Sequence, residues 1–165
     1  MVLIMEYVPQ KRKLIGYKVH ALVTLEGFIT EFIITPASID DREGFRELTE
    51  HHSHLTILGD KGYVSKTLAE ESKKQGICLM ALKRSNSKSP WSSSVRQLIF
   101  GLRRRIETVF SQLSEQLNAE RVLAKSFQGL CTRLVNKILA HNLCMVFQYL
   151  FSASCELGKI KQLIF

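Results

Sequence analysis

Residues 17–35, YKVHALVTLEGFITEFIIT, decide the fold. Tyr17, Val19, Ala21, Val23 and Leu25 alternate with Lys18, His20, Leu22 and Thr24, the period-2 pattern of a strand with one face buried. Glu26-Gly27 supplies a turn, and the β-branched and aromatic residues 28–35 make the returning strand of a hairpin that Pro36 ends. Beyond it, residues 38–41 offer side chains able to cap a short helix carrying Phe45 and Leu48, which dissolves in the polar run His51-His52-Ser53-His54. Residues 55–58 form an apolar run closed by Gly59-Asp60-Lys61-Gly62, the punctuation expected where a buried parallel strand stops. Ser65 can cap a helix running to Lys74, Gly76 stops it, and residues 77–82 read as another buried strand.

Residues 83–94 are polar, Ser-rich and contain Pro90, so they read as an exposed connection. In the long helix that follows, Leu98, Leu102, Ile106, Val109, Phe110, Leu113 and Leu117 recur at helical spacing and form its buried stripe. After Asn118, a second apolar periodic stretch from about Phe127 to Phe151, interrupted by Gly129, predicts one or two further helices. The element order gives an α/β fold, a mixed sheet with helices on its faces and a helical C-terminus, without repeats or a second domain.

The chain has 165 residues, 45% apolar and 23% charged, enough to bury the core of one domain and too apolar for a disordered tail or a fibre. Cys78, Cys131, Cys144 and Cys155 are widely spaced, include no C-x-x-C pair, and read as buried small hydrophobes in a reducing cytoplasm. No export signal is expected from residues 1–5, which have no basic residue ahead of them. Residues 138–151, broken by His141, Asn142 and Gln148, fall short of the roughly 20 apolar residues a spanning helix needs, so no membrane is expected. The net charge of +8 favours a polyanionic partner, nucleic acid first. It is also localised: residues 1–82 carry 10 basic and 11 acidic side chains, residues 83–137 carry 11 and 3, and the remainder 2 and 1.

Two acids stand out. Asp60 follows a strand that reads as central, where α/β sheets place their working residues, although an Asp there is more often a turn or cap residue. Glu107 lies roughly 100° off the middle of the apolar stripe, with Arg103 one turn before it. Such a pair is commonly a plain surface ion pair worth a few tenths of a kcal/mol.

The surrounding residues argue for more. Gly16-Tyr17-Lys18-Val19-His20, the strand end Leu58-Gly59-Asp60-Lys61-Gly62-Tyr63, and the helix Arg103-Arg104-Arg105-Ile106-Glu107-Thr108-Val109-Phe110-Ser111 together resemble the DDE transposases of bacterial insertion sequences. The resemblance covers roughly residues 14–150. It implies a ribonuclease-H-like fold in which three acids hold two divalent ions, Mg²⁺ or Mn²⁺, with Asp60 as the second acid and Glu107 as the third. It further implies cleavage and strand transfer at insertion-sequence ends, a DNA partner that includes the target, two copies pairing two ends as a homodimer, and a cytoplasmic location. Both reactions are in-line displacements at phosphorus, which two ions about 3.5–4 Å apart would assist by stabilising the attacking and leaving oxygens. Phosphate contacts fall to Arg103, Arg104 and Arg105, with Lys83 and Arg84 on the connection. The family's signature around its glutamate is Tyr, two residues, Arg, three residues, Glu, six residues, Lys; here those positions hold Phe100, Arg103, Glu107 and Ser114, so the hydroxyl and the lysine are lost.

The larger departure concerns the first acid, which the family carries on the strand before the hairpin. No Asp precedes Asp40, and Glu6 is the sole acid in the first 15 residues. The expectation is therefore a sheet lacking its first strand, in a truncated and catalytically impaired copy: a short N-terminal segment 1–13, a partial catalytic domain 14–151 and a tail 152–165; the less favoured reading has Met1 to Val8 fill that strand with Glu6 in the aspartate's place. The alternative is a non-catalytic DNA-binding remnant. Asp40 and Asp41 are expected to cap a helix rather than replace the missing acid. His51, His52 and His54 read as a solvated connector, and His20 as structural. Trp91 is left with two readings, a stack on an unpaired base or a packing anchor.

Overall fold

A computed structural model describes residues 2–7, 16–81 and 91–151. Five strands form one mixed sheet in the order β3-β2-β1-β4-β5: β1 (Val2–Tyr7), β2 (Tyr17–Thr24), β3 (Ile29–Pro36), β4 (Thr56–Gly59) and β5 (Cys78–Ala81). The first three are an antiparallel meander, while β1, β4 and β5 run parallel. Four helices accompany them: α1 (Asp41–Thr49), α2 (Lys66–Lys74), α3 (Ser93–Ser111) and α4 (Phe127–Phe151). This is the expected mixed sheet flanked by helices, with a helical C-terminus.

The strand expected to be missing is present. Residues of β1 pair with β2 along their whole length, from Val2 opposite Thr24 to Tyr7 opposite Val19, and Val2 and Leu3 pair with Ile57 and Leu58 of β4. The physical reason is the ladder itself. Without a strand there, β2 and β4 would each leave a row of unpaired N–H and C=O groups in the middle of the sheet. The run Val2-Leu3-Ile4-Met5 has the apolar, strand-compatible side chains such a slot accepts. The sheet thus takes in residues ahead of position 14.

Two apolar layers hold the sheet. On one face Ala21, Val23 and Leu58 meet Ile99, Ile106 and Val109 of α3; on the other Leu22 and Ile57 meet Phe45, Leu48 and Leu68 of α1 and α2. Each such buried side chain contributes roughly 1.5–3 kcal/mol. Because both faces are covered, β2 is buried on both: Val19 and Ala21, and also Lys18, His20 and Leu22. The expectation of one solvent face was therefore wrong, since alternation reports polarity and here the polar side is sealed by α1.

Local signals act where the sequence places them. Gly27 turns the hairpin with φ +109°, and Asp40 caps α1 by accepting from the Arg42 N–H at 2.9 Å. Ser65 caps α2, and Gly76 ends it at φ +76°. In α3 the fully buried residue at its start is Ile99, which the predicted stripe missed; the Leu98 side chain lies outside the described residues. A π-helical turn (Gln112–Gln116) follows, and Asn118 breaks the chain direction at φ +52°. The last apolar stretch is the single 25-residue helix α4. It docks on the hairpin through His141, whose ring N–H reaches the Gly27 carbonyl at 3.1 Å. Asn142 adds two bonds, donating to the Ile29 carbonyl at 2.8 Å and accepting from the Ile29 N–H at 3.1 Å. Cys78, expected in the core, is exposed because it opens the edge strand β5; Cys131 and Cys144 are half-buried, and Cys155 lies outside the described residues.

Candidate active site

Asp60 sits immediately after β4, at the carboxyl end of a central strand. A 3-10 turn (Lys61–Tyr63) follows and is closed by the Tyr63 N–H donating to the Asp60 carbonyl at 3.1 Å. Tyr63 is the anchor of this turn. Its ring is buried against Phe45, with centroids 5.9 Å apart, and a Cβ added at Gly59 would lie 3.1 Å from it. Its hydroxyl is 3.5 Å from His20 Nδ1, while His20 Nε2 is 3.0 Å from the Thr35 hydroxyl. Burial holds the His20 pKa below the ordinary histidine value; nearby Asp41 opposes this and Lys18 adds to it.

Beside that ring, Lys18 Nζ donates to Asp41 Oδ1 at 2.7 Å and to the Ile39 carbonyl at 2.9 Å. A Cβ at Gly62 would lie 3.1 Å from Asp41 Oδ2. Lys18 and His20 of the hairpin, Asp41 of α1 and Tyr63 of the turn thus form one polar cluster behind the site, fixing the backbone that carries Asp60. His20 is structural, as expected. Asp40 is the cap, and Asp41 instead anchors Lys18.

On the other side of the sheet, Arg103 reaches both acids. Its Nε donates to Glu107 Oε1 at 3.0 Å, and its terminal nitrogen is 3.7 Å from Asp60 Oδ1. One guanidinium therefore bridges the two predicted acids, one just past β4 and the other on α3. The three side chains are about one-third to one-half exposed, which leaves them open to solvent. Asp60 Oδ1 itself is buried and has no hydrogen-bond partner among the described residues.

The arginine triplet does not act as one surface, because successive helical residues diverge by about 100°. Arg103 faces the acids, Arg104 is exposed, and Arg105 lines a shallow cleft with Glu26, Gly27 and Met145 at the hairpin turn. Lys83 and Arg84 lie outside the described residues. Trp91 serves as a packing anchor: its indole N–H donates to the Ala81 carbonyl at 3.1 Å, and its ring packs on the α3 core. His52 pairs with Glu31.

No group of three potential metal ligands forms among the described residues. The parallel register of Leu3 with Leu58, continued in step, brings Met5 level with Asp60. Glu6 stands opposite His20 in the antiparallel register. The two acids present are hard oxygen donors, and Mg²⁺ is commonly held by one or two carboxylates while keeping water and substrate phosphate as its other ligands. Asp60 and Glu107 fit one such ion; the buried, unbonded Oδ1 of Asp60 is the observation that favours it.

A sequence profile described as the transposase DDE domain matches residues 11–126. The chain belongs to this DDE transposase domain family. In this transposase domain the match takes in the hairpin, Asp60 and Glu107. Among solved structures, a chain in the cryo-electron microscopy structure of the simian T-cell lymphotropic virus intasome in complex with PP2A regulatory subunit B56 gamma is similar. It is 15% identical at a TM-score of 0.48, over 81% of this chain and 46% of that one. The transposase domain thus spans less than half the length of that protein. No functionally curated protein matches it. No helix among the described residues is long and apolar enough to cross a membrane.

Proposed function

We propose that this chain is the catalytic domain of an insertion-sequence transposase acting in the cytoplasm on phosphodiesters at DNA ends, with catalysis impaired by an incomplete acid set. The observation that supports the reading is the single Arg103 guanidinium within 3.7 Å of Asp60 and 3.0 Å of Glu107, a contact shared by two acids far apart in the sequence. Asp60 and Glu107 would hold a divalent ion, Mg²⁺ or Mn²⁺. When bound, that ion supplies charge stabilisation at a phosphoryl oxygen and activation of water. The protein's own part is positional. The Tyr63 turn would hold Asp60, α3 would present Glu107, and Arg103, which touches both acids, is placed to orient phosphate. A second ion is not supported, because the β1 position level with Asp60 is Met5. Pairing of two copies on two DNA ends is part of the same reading.

The second reading, a remnant that binds DNA without cutting it, is favoured by that same Met5. Both readings expect DNA affinity that falls steeply with salt. They separate on nicking of supercoiled plasmid carrying insertion-sequence ends, in Mn²⁺. The transposase reading expects slow nicking that Asp60→Ala or Glu107→Ala abolishes while DNA binding persists. Nicking that survives both replacements would overturn it, and binding with no nicking selects the remnant.

A further inference from the structure

We propose that Arg103 and a divalent cation compete for the same two carboxylates, so that Arg103 limits cation entry to the site. The inference rests on the reading of Asp60 and Glu107 as cation ligands. An ordinary i, i+4 pair would engage Glu107 alone, but this guanidinium also spans to a second element and faces Asp60 Oδ1 at 3.7 Å. The two oxygens it faces, Glu107 Oε1 and Asp60 Oδ1, are ones that a cation shared by the two acids would use. Arginine cannot relieve the conflict by losing its proton, since guanidinium stays charged at any working pH. It can relieve it only by moving.

The side chain is free to do so. Arg103 is one-third exposed, and its bonds to partly exposed carboxylates are of the weak surface kind. A phosphate entering the site offers the planar, bidentate partner that guanidinium favours, so cation and DNA backbone would together draw Arg103 off the acids. Arg103 is thus a positioning residue: it holds the two carboxylates in register and yields them to a cation. Arg104 and Arg105 diverge from the two acids and cannot share the task.

The test is titration of the full chain with MnCl₂, read by the loss of free-Mn²⁺ electron paramagnetic resonance, with Asp60→Asn defining the site. Competition expects Arg103→Gln to tighten Asp60-dependent binding about three- to tenfold, the scale set by releasing two surface ion pairs. Arg103→Lys, which keeps the charge but loses the fork, is expected to fall between; thermal unfolding shows that each variant is folded. Wild-type binding that depends on Asp60 but is unchanged or weakened in both arginine variants overturns competition alone, because a purely supporting role moves affinity downward. Absence of Asp60-dependent binding in every variant overturns the cation site and this inference with it.

Discussion

Replacing Gly44 by alanine tests the cluster that fixes Asp60. Gly44 lies buried in α1 against the His20 ring, and a Cβ there would fall 2.6 Å from Nε2 and 2.8 Å from Cδ2 and Cε1. The ring has no free space, being 0% exposed, and is tied to the Thr35 hydroxyl at 3.0 Å. Displacing it costs about 1–3 kcal/mol for overpacking, plus about 1 kcal/mol for the strained hydrogen bond. A helical glycine replaced by alanine regains about 1 kcal/mol. The net expectation is destabilisation by about 2 kcal/mol, measured as a lower urea midpoint at unchanged slope. In a His20→Ala background the obstruction is gone, and the same substitution should stabilise by roughly 0.5–1 kcal/mol from helix propensity alone. An equal penalty in both backgrounds, or none in either, would refute the packing argument.

Other consequences are open to measurement. Asn142→Leu leaves the Ile29 N–H and carbonyl without their partner and should cost about 2 kcal/mol by urea unfolding. Burial depresses the pKa of both His20 and His141, the latter partly offset by its bond to the Gly27 carbonyl. Below the unfolded value of 6.5 the unfolded chain therefore takes up more protons than the folded one. Stability should be flat above that pH and decline as pH falls through it, and His141→Gln should make the decline shallower. Because the arginines fan out around α3, about two of the three can reach one duplex, so replacing Arg103, Arg104 and Arg105 together by Gln should lower the slope of log affinity for duplex DNA against log salt by about 2, since each lost phosphate contact removes about 0.9.

The hairpin, the two parallel strands, the caps at Asp40 and Ser65 and the stops at Gly27 and Gly76 were legible because each depends on local chemistry. Asp60 and Glu107 were singled out from family motifs, and the Arg103 contact then brought them together. The structure revealed what depends on distant partners. β1 was only the less favoured reading because a short apolar run acquires its meaning only between β2 and β4. The burial of Lys18 and His20 was missed because the carboxylate and hydroxyls that satisfy them come from α1, β3 and the Tyr63 turn. Asn142 looked like an interruption of an apolar helix, yet it is the residue that binds α4 to β3. For Lys18, His20 and Asn142 a signal existed, a polar side chain inside a largely apolar pattern, but it did not name its partner. The arginine triplet illustrates the reverse: adjacency in sequence suggested one patch, and helical geometry disperses it.

The central claim is that Asp60 and Glu107 act as one site. The direct measurement is a double-mutant cycle on Mn²⁺ affinity with Asp60→Asn, Glu107→Gln and both together. A shared ion predicts that either single change removes the binding and that the double change removes no more. Two independent losses that add, or binding that persists in the double variant, would contradict it.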